Sequence, residues 1–409
     1  MAGLNILISG AGIAGPVVAH FLTQAGAHVT IVERASEPRT GGQNVDIRGH
    51  GLTILRRMGV EEAVREQTTK EAGLRFVDAN DQSWADFPVD DGKGFTSDIE
   101  IMRGDLARTL YDATQNRVKY IFGDSIKSMQ EDSSGADVEL GSGRSIRADA
   151  VIAADGWSSN TRKLAFGQGI SHDAVNDLGQ WAAWMTIPHA PSDNQWARWY
   201  NAPGKRMILI RPDNGRNTRV SLWVMPKDRR LDELAKANVD EQKAYWTEMF
   251  QDAGWEADRV LKALPLADDF YMQKVAQVKL TSWSRGRVVV AGDAGYCPSP
   301  ISGMGTTVAI VGSYILAGEL AQRSDDVQLA FKAYEERMRK FVDVAQKLAP
   351  GAPSMANPQT ALGIKVLYAF LGFVSWTGVL KYLGASFNPP ASGMDLPDYD
   401  FGNSGKKDS

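Results

Sequence analysis

The sequence predicts an α/β fold in which a Rossmann-type nucleotide-binding domain is combined with a mostly antiparallel β-sheet domain and C-terminal helices. Three observations predict it. A glycine-rich turn joins an apolar run to a helical pattern near the N-terminus, two later apolar runs each lead into an aspartate, and a tryptophan-rich stretch of strand patterns lies between those two runs. The 409 residues, 43% of them hydrophobic, suffice for a large core divided between two domains.

The composition argues against several classes of function. A formal net charge of −4 gives no electrostatic reason to expect a nucleic-acid partner. The single cysteine, Cys297, excludes an intramolecular disulfide and fits a reducing compartment. The five histidines show no metal-ligand spacing, and the N-terminus shows no signal-peptide pattern. These features predict a cytoplasmic protein without a metal centre.

The first motif is GAGIAG, within an apolar run, a helical pattern and a second apolar run that follow one another over residues 4–34. Gly10 permits the tight turn, Gly12 lets a pyrophosphate approach the backbone, and Gly15 lets the helix pack closely on the strand. Glu33 ends the second run, where its carboxylate can accept a hydrogen bond from a ribose hydroxyl. Because an acid at this position disfavours a 2′-phosphate, the motif predicts NAD or FAD rather than NADP.

Two further motifs are not needed by a NAD dehydrogenase. ADAVIAADGWSSNTRK is an apolar run that leads into Asp155 and continues with the spacing DGxxSxxR. AGDAGYCPSPISGMGTTVAI carries Asp293 after another apolar run, then a proline-rich bend, then Gly303 and Gly305 before a helical pattern. The free amides and the dipole at the start of that helix would stabilise negative charge on a bound group.

With GxGxxG, DG and GD in this order, the chain resembles the single-component FAD-dependent (class A) aromatic monooxygenases of the p-hydroxybenzoate hydroxylase fold. Among these it is most similar to the tetracycline-inactivating monooxygenases and related natural-product enzymes. The resemblance covers nearly the whole chain. It implies a GR2-like FAD-binding domain, with FAD as the cofactor. The chain differs from the family at Thr307, where asparagine is common, and at Gly312, where aspartate is common.

The resemblance also implies a reaction. NADPH or NADH would dock transiently as co-substrate, O₂ would be the oxidant, and a flavin C4a-hydroperoxide would hydroxylate a polycyclic aromatic or enolic natural product. No side chain is expected to act as a catalytic nucleophile, since the flavin carries the chemistry. Two alternatives stay open: Baeyer–Villiger oxygenation on the same fold, and a flavin-bearing protein that sequesters the compound. A flavin-dependent halogenase is discounted, because Ala183 and Met185 stand where its WxWxIP motif needs tryptophans.

The resemblance assigns roles to individual residues. The cofactor-binding set that it implies is Gly10, Gly12, Ala14, Gly15, Glu33, Arg34, Asp46, Arg103, Asp155, Asp293, Pro300, Gly303, Met304 and Gly305. Asp293 would hold the ribityl–pyrophosphate region, and the turn at Gly303 would let backbone amides approach the isoalloxazine ring. Arg103 would bring a cation toward the phosphates or the ring edge, and Arg39 would meet NADPH.

The predicted FAD-binding domain is discontinuous, comprising residues 1–171 and 279–325, and is followed by C-terminal helices over 326–390 and an extended tail over 391–409. Residues 172–278 form the predicted substrate domain, whose strand patterns carry five of the chain's eleven tryptophans, Trp181, Trp184, Trp196, Trp199 and Trp223. Alternate side chains of its strands would line a flat apolar cavity, with Trp184 and Arg211 as substrate contacts. The apolar segment 366–380 is too short to span a bilayer. We expect it to be a buried or interfacial helix that covers the pocket, with peripheral membrane contact as the alternative.

Overall fold

A computed structural model describes residues 3–39, 41–89, 97, 99–213, 215, 217–227, 229–378 and 393–402. The strands are β1 Asn5–Ser9, β2 His28–Glu33, β3 Asn44–Asp46, β4 Gly73–Val77, β5 Ser83–Pro88, β6 Glu100–Met102, β7 Lys119–Phe122, β8 Ile126–Glu131, β9 Ala136–Leu140, β10 Ser145–Ala148, β11 Ala150–Ala153, β12 Val175–Pro188, β13 Trp196–Ala202, β14 Arg206–Pro212, β15 Asn217–Val224, β16 Tyr271–Val278, β17 Ser284–Arg285 and β18 Val288–Val290. The helices are α1 Ala14–Gln24, α2 His50–Arg57, α3 Glu61–Glu66, α4 Arg103–Asp112, α5 Asn160–Phe166, α6 Gln168–Asp173, α7 Arg230–Leu234, α8 Val239–Phe250, α9 Ala257–Ala263, α10 Asp293–Tyr296, α11 Gly305–Gln322, α12 Val327–Ala345 and α13 Ala361–Thr377.

A six-stranded sheet of order β17-β18-β11-β1-β2-β7 forms the nucleotide-binding half, and β18, β11, β1 and β2 are mutually parallel. The three motifs follow three adjacent strands: Gly10 follows β1, Asp155 follows β11, and Asp293 follows β18. Because carboxyl ends of parallel strands meet at one edge, the sheet brings together motifs that are nearly three hundred residues apart in sequence. The predicted α/β class with a Rossmann-type FAD-binding fold is confirmed.

Both faces of this sheet are covered, as the continuous apolar runs require. Along β1, Ile6 and Ile8 point to one face and pack with α1, α11 and α12, whereas Leu7 points to the other face. On that second face lies the three-stranded antiparallel sheet of β8, β9 and β10. Helices α1 and α11 are also tied directly, since the Ser313 hydroxyl donates to the Ala14 carbonyl oxygen at 3.1 Å.

The second sheet has seven strands in the order β16-β12-β15-β14-β13-β4-β5 and is antiparallel except where β13 meets β4. Strands β4 and β5 come from within residues 1–171, so this sheet draws on a segment outside the predicted range of 172–278. Helices α7 to α9 cover one face of the sheet, and α8 buries Tyr245, Trp246 and Phe250 there in one cluster with Trp181. The opposite face carries Trp184 and is the wall of a cavity.

The C-terminal helix α13 packs on β5 and β13 through Ile364, Tyr368 and Val374. Its other face is apolar and exposed: Leu362, Val366, Phe370, Phe373 and Trp376 are between 58% and 83% accessible. Among the described residues, no helix combines the length and the apolar character needed to cross a membrane.

The end of the chain is partly outside the described residues, namely 379–392 and 403–409, which include parts of the predicted C-terminal segment and of the predicted tail. The intervening stretch 393–402 has no regular secondary structure and is docked on the core. The Tyr399 hydroxyl donates to the buried Glu319 carboxylate at 2.5 Å, and Phe401 packs against Phe21 with ring centroids 4.9 Å apart. Aromatic side chains therefore anchor this part of the chain.

Candidate active site

The GxGxxG turn is held in a tight conformation with open space beside it. Gly10 has φ of +108°, and a side chain there would meet the Ala154 carbonyl oxygen at 2.5 Å. A side chain at Gly15 would overlap the Gly10 carbonyl oxygen, so close packing of helix on turn requires glycine. A Cβ at Gly12, in contrast, would have no heavy atom within 4 Å. This bare backbone at the start of α1 is the cradle that a diphosphate needs.

Glu33 lies beside the same turn. Its carboxylate accepts hydrogen bonds from the backbone amides of Ala11 at 2.9 Å and Ala35 at 3.0 Å. These bonds fix the acid at the end of β2, and each oxygen keeps a lone pair for a ribose hydroxyl. Arg34, the next residue, is exposed.

The acid of the DG motif is held by the turn that follows it. The Asp155 carboxylate accepts hydrogen bonds from the Ser159 hydroxyl and, at 3.0 Å each, from the amide and hydroxyl of Thr161. It therefore stabilises the start of α5, and only its backbone faces Gly10. The fully buried Arg162 donates to the Ala294 carbonyl at 2.7 Å, which joins the DG loop to the GD loop. Arg162 is the arginine of the DGxxSxxR motif, so this motif marks the residue that connects the two loops in the sequence.

The GD motif places its acid beside cationic groups. Burial raises the pKa of Asp293, and the nearby charge of Arg103 opposes that rise. Arg103 begins α4, and its Cβ would lie 3.1 Å from a Cβ placed on Gly42. The charge of Arg39 lies within electrostatic reach of Glu33, Arg34 and Arg103. These cations, between the GxGxxG turn and the GD motif, suit a ligand with a negatively charged diphosphate.

The turn after the proline bend borders the cavity through Pro300, Gly303 and Met304. Gly303 has the left-handed conformation, φ +63°, and a Cβ on it would lie 3.5 Å from the Asp46 carboxylate. The Oδ1 atom of Asp46 is buried without a hydrogen-bond partner among the described residues. An unpaired buried acceptor marks a position for a donor group of a ligand.

The two departures from the family have physical reasons. The Thr307 hydroxyl accepts a hydrogen bond from the Arg48 amide at 3.0 Å, so it fastens the loop that carries Asp46 to α11. A side chain at Gly312 would overlap the hydroxyl of Tyr296, which accepts a hydrogen bond from the Tyr334 hydroxyl at 2.8 Å. An aspartate at 312 has no room beside this tyrosine pair.

A cavity of about 310 Å³ lies between the Gly303 turn and the second sheet. The ring planes of Trp184 and Tyr271 are stacked, with centroids 5.1 Å apart at 15°, and Trp223 meets Trp184 edge to face at 5.5 Å. Trp199, Met207, Leu209 and Ile301 complete most of the apolar wall. The predicted alternation along the strands is confirmed, because Trp181, three residues from Trp184, faces the opposite core.

C-terminal residues also line the cavity, but they belong to the loop before α13, from Ala352 to Asn357. The helix itself, which was expected to cover the pocket, packs farther along the same face of the sheet. The loop, and not the apolar helix, therefore contributes to the cavity wall.

Arg211 reaches the cavity, but two carboxylates hold its guanidinium. It makes two 2.9 Å hydrogen bonds to Glu71 and a further ion pair with Glu100. Burial raises the pKa of Glu100 well above its usual range, with Arg211 opposing the rise and Glu71 adding to it. Asn44 and Thr69 also donate to Glu100. Sequence reasoning missed both glutamates, and no spacing in the sequence links them to Arg211.

These residues fit FAD: the open backbone at Gly12 suits the diphosphate, Glu33 the ribose, Asp293 the polyol, and the turn beside Asp46 a flat ring. Gly10, Asp155 and Asp293 follow three adjacent strands at one edge of the sheet, and the binding of FAD by the individual predicted residues stays a prediction. Fold and site thus define a flavoprotein with a largely aromatic-walled cavity beside the Gly303 turn.

The comparisons with known proteins give the same class. The model of the FAD binding domain family matches residues 4–347. FAD-dependent monooxygenase asL6 of Sarocladium schorii is 35% identical, covering 97% of this chain and 98% of the relative, and monooxygenase CTB7 of Cercospora beticola is 36% identical, covering 98% and 99%. The solved tetracycline destructase Tet(51) is 30% identical with a TM-score of 0.77, covering 97% of this chain and 99% of that one.

The chain belongs to this FAD binding domain family and is a class A, FAD-dependent monooxygenase. The sequence-based predictions of an enzyme, of its family and of FAD as its cofactor are confirmed.

Proposed function

We propose that this enzyme uses NADPH and O₂ to hydroxylate a polycyclic aromatic or enolic compound that fills the cavity. The observation that carries the proposal is the cavity itself. Its wall of stacked and edge-on aromatic rings stands opposite the Gly303 turn, where the ring end of FAD would lie. Flat aromatic walls bind ring systems through buried area and offset stacking. The resemblance to a tetracycline destructase supports a polycyclic substrate.

Bound FAD supplies the redox chemistry, in which NADPH and a proton reduce O₂ so that one oxygen atom enters a C–H bond of the substrate and the other leaves as water. The side chains of this chain bind and orient. Trp184, Tyr271 and Trp223 hold the acceptor ring, and the apolar wall keeps water away from the reacting centre. The amides at the start of α11 stabilise negative charge on the ring.

Arg39 is the proposed contact of NADPH, because its side chain is accessible and its charge interacts with those of Arg34 and Arg103. The reducing compartment inferred from the single cysteine makes the cytoplasm the proposed location. We also propose that the chain is divided into an FAD-binding domain, a substrate domain and C-terminal helices, with β4 and β5 belonging to the sheet of the substrate domain.

The test is aerobic turnover with a panel of polycyclic phenols and tetracyclines. Stimulated NADPH oxidation and a product heavier by one oxygen atom support the proposal. Trp184→Phe should raise the substrate Kd several-fold, since it shortens the stacked wall, whereas Trp181→Phe on the opposite face is the matched control and should leave Kd unchanged. Stimulation by none of the panel would contradict the substrate class.

The same assay separates the alternatives. A product in which oxygen has entered beside a carbonyl group, seen as a new ester or lactone by NMR, indicates Baeyer–Villiger chemistry. Tight binding of a compound without NADPH oxidation or product indicates sequestration.

A further inference from the structure

Buried polar atoms of the cavity wall bear on how a substrate is held, an inference that rests on the proposed function. Several buried side-chain atoms have no hydrogen-bond partner in the described part of the chain. In residues that line this cavity they include Asp46 Oδ1, Gln180 Oε1, Arg219 Nε and Asn357 Oδ1. Because buried polar groups in folded proteins nearly always have partners, these atoms point to a ligand that supplies the missing ones.

Two of these atoms are neutral acceptors that suit a substrate. Asp46 lies beside the Gly303 turn, where FAD is expected, and Arg219 Nε is a donor with the Asp213 carboxylate 3.6 Å away. The other two atoms are the amide oxygens of Gln180 and Asn357, residues that are each only 2% accessible. A neutral amide oxygen calls for an uncharged donor, such as a hydroxyl group.

The amide of Asn357 is fixed in orientation. Its Nδ2 donates to the Pro353 carbonyl oxygen at 2.9 Å. Turning the amide over would place two carbonyl oxygens against each other, so this bond leaves Oδ1 as the acceptor. The preceding residue is tied to strand β13, since the Asn201 side chain donates to the Ala356 carbonyl oxygen at 3.0 Å. The loop before α13 therefore presents a fixed acceptor beside β13.

Gln180 is aimed at the cavity by a β-bulge in β12. The bulge lies between Asp177 and Gln180, and within it Gly179 has φ of +69° and donates its amide to the Asp177 carboxylate at 2.8 Å. Beyond the bulge Gln180 lies opposite Val275, which packs with Trp184 in the cavity wall. Because directly opposite residues of two strands point to the same face, the bulge places the Gln180 amide on the cavity side.

The two acceptors lie at opposite sides of the aromatic wall. The strand order β12-β15-β14-β13 places two strands between Gln180 and the loop beside β13. The residues paired across these four strands are Ala182, Trp223, Met207 and Asn201, in that order. Three strand spacings amount to about 14 Å. A fused polycyclic ring system spans a distance of this order, whereas a single ring does not.

We propose that Gln180 and Asn357 position the substrate by accepting hydrogen bonds from two neutral hydroxyl groups, phenolic or enolic, at opposite ends of its ring system. The aromatic wall binds the faces of the rings, and the two amides fix how far the ring system slides along that wall. A polycycle with a hydroxyl group at each end is therefore preferred to the same polycycle with a hydroxyl group at one end.

The experiment compares 2,6-dihydroxyanthraquinone with 2-hydroxyanthraquinone, which differ by one terminal hydroxyl group. Isothermal titration calorimetry measures Kd on the oxidised holoenzyme at a pH where the phenols are protonated. In a cavity without acceptors the added hydroxyl would weaken binding, because it loses its bond to water. We expect the dihydroxy compound to bind at least about tenfold more tightly. Equal Kd values, tighter binding of the monohydroxy compound, or no binding of the dihydroxy compound would overturn the proposal.

Gln180→Met and Asn357→Leu each remove one acceptor with little change in size. Either variant keeps a single acceptor, so the ratio of monohydroxy Kd to dihydroxy Kd should fall to about one. A general structural defect would instead weaken the binding of both compounds alike. Gln242→Met is the matched control, because this buried amide donates to backbone carbonyl groups at α8, on the opposite face of the sheet, and the ratio should not change.

An unchanged ratio in both cavity variants would contradict the assignment to these two residues, and the wild-type comparison stands even if a variant fails to fold. The binding comparison uses no NADPH, so it is independent of turnover. If the dihydroxy compound is not preferred while the panel yields oxygenated products, the positioning role fails and the monooxygenase function stands. If it is preferred and no panel compound is oxygenated, the two amides remain a binding site and the proposed function fails.

Discussion

Replacing Gly12 by alanine separates the fold of the first motif from its cofactor contact. A Cβ at Gly12 meets no heavy atom of the protein within 4 Å, and its backbone is outside the left-handed region. The apoprotein should therefore fold as well as the wild type, or gain roughly 0.4–1 kcal/mol because the unfolded chain loses freedom. The same methyl group stands where the diphosphate of FAD must touch bare backbone.

The magnitude follows from that contact. An extra methyl group forced into a packed contact costs about 1–3 kcal/mol, which corresponds to a rise of about 5- to 150-fold in the Kd of FAD. Quenching of FAD fluorescence on titration with apoprotein measures Kd, and urea unfolding of the apoprotein measures stability. Gly169→Ala is the matched control, because a Cβ there also meets nothing within 4 Å but lies in the exposed helix α6. Wild-type FAD affinity in Gly12→Ala would refute the placement of the diphosphate.

Three further predictions concern buried polar groups. Burial and, secondarily, the charge of Arg117 lower the pKa of His20 to about 4. Between pH 6.5 and pH 4 the unfolded chain therefore binds a proton that the folded protein does not, and the free energy of unfolding should fall by about 3 kcal/mol as the pH is lowered through this range. Urea unfolding measures this fall, which should be smaller in His20→Gln. Gly312→Ala should lower the free energy of unfolding, measured by calorimetry, by about 1–3 kcal/mol, because the new Cβ overlaps the Tyr296 hydroxyl. Adding Tyr296→Phe to this variant should restore part of the lost stability, and no restoration would contradict the overlap. Arg162→Met leaves the carbonyl groups of Ala294 and Trp157 without their donor, so it should lower the free energy of unfolding in urea by about 3 kcal/mol and weaken FAD binding. Unchanged FAD affinity would show that FAD binding does not depend on the hydrogen bond between the DG and GD loops.

The cofactor edge could be predicted from the sequence because its signals are local. Each of the three motifs directly follows an apolar strand, and the parallel order of those strands brings their ends together without any further information. The cavity wall was predictable for the same reason, since alternation along a strand assigns Trp184 and Trp181 to opposite faces.

Long-range polar partners could not be predicted. Arg211 lines the cavity, but its ion pairs could not be anticipated, because Glu71 and Glu100 come from segments more than a hundred residues away. Asp155 matched a family motif, yet the hydroxyl groups of the following turn capture its carboxylate. The addition of β4 and β5 to the second sheet likewise depends on a pairing between Gly73 and Trp196 that no local pattern encodes.

Anaerobic reduction of the purified holoenzyme, followed by exposure to air, tests the central claim most directly. The account predicts a yellow protein with FAD bound, bleached by NADPH under argon and recoloured by O₂, with one oxygen atom transferred to a polycyclic phenol present in the cavity. A protein purified without flavin and unable to take up added FAD would contradict it.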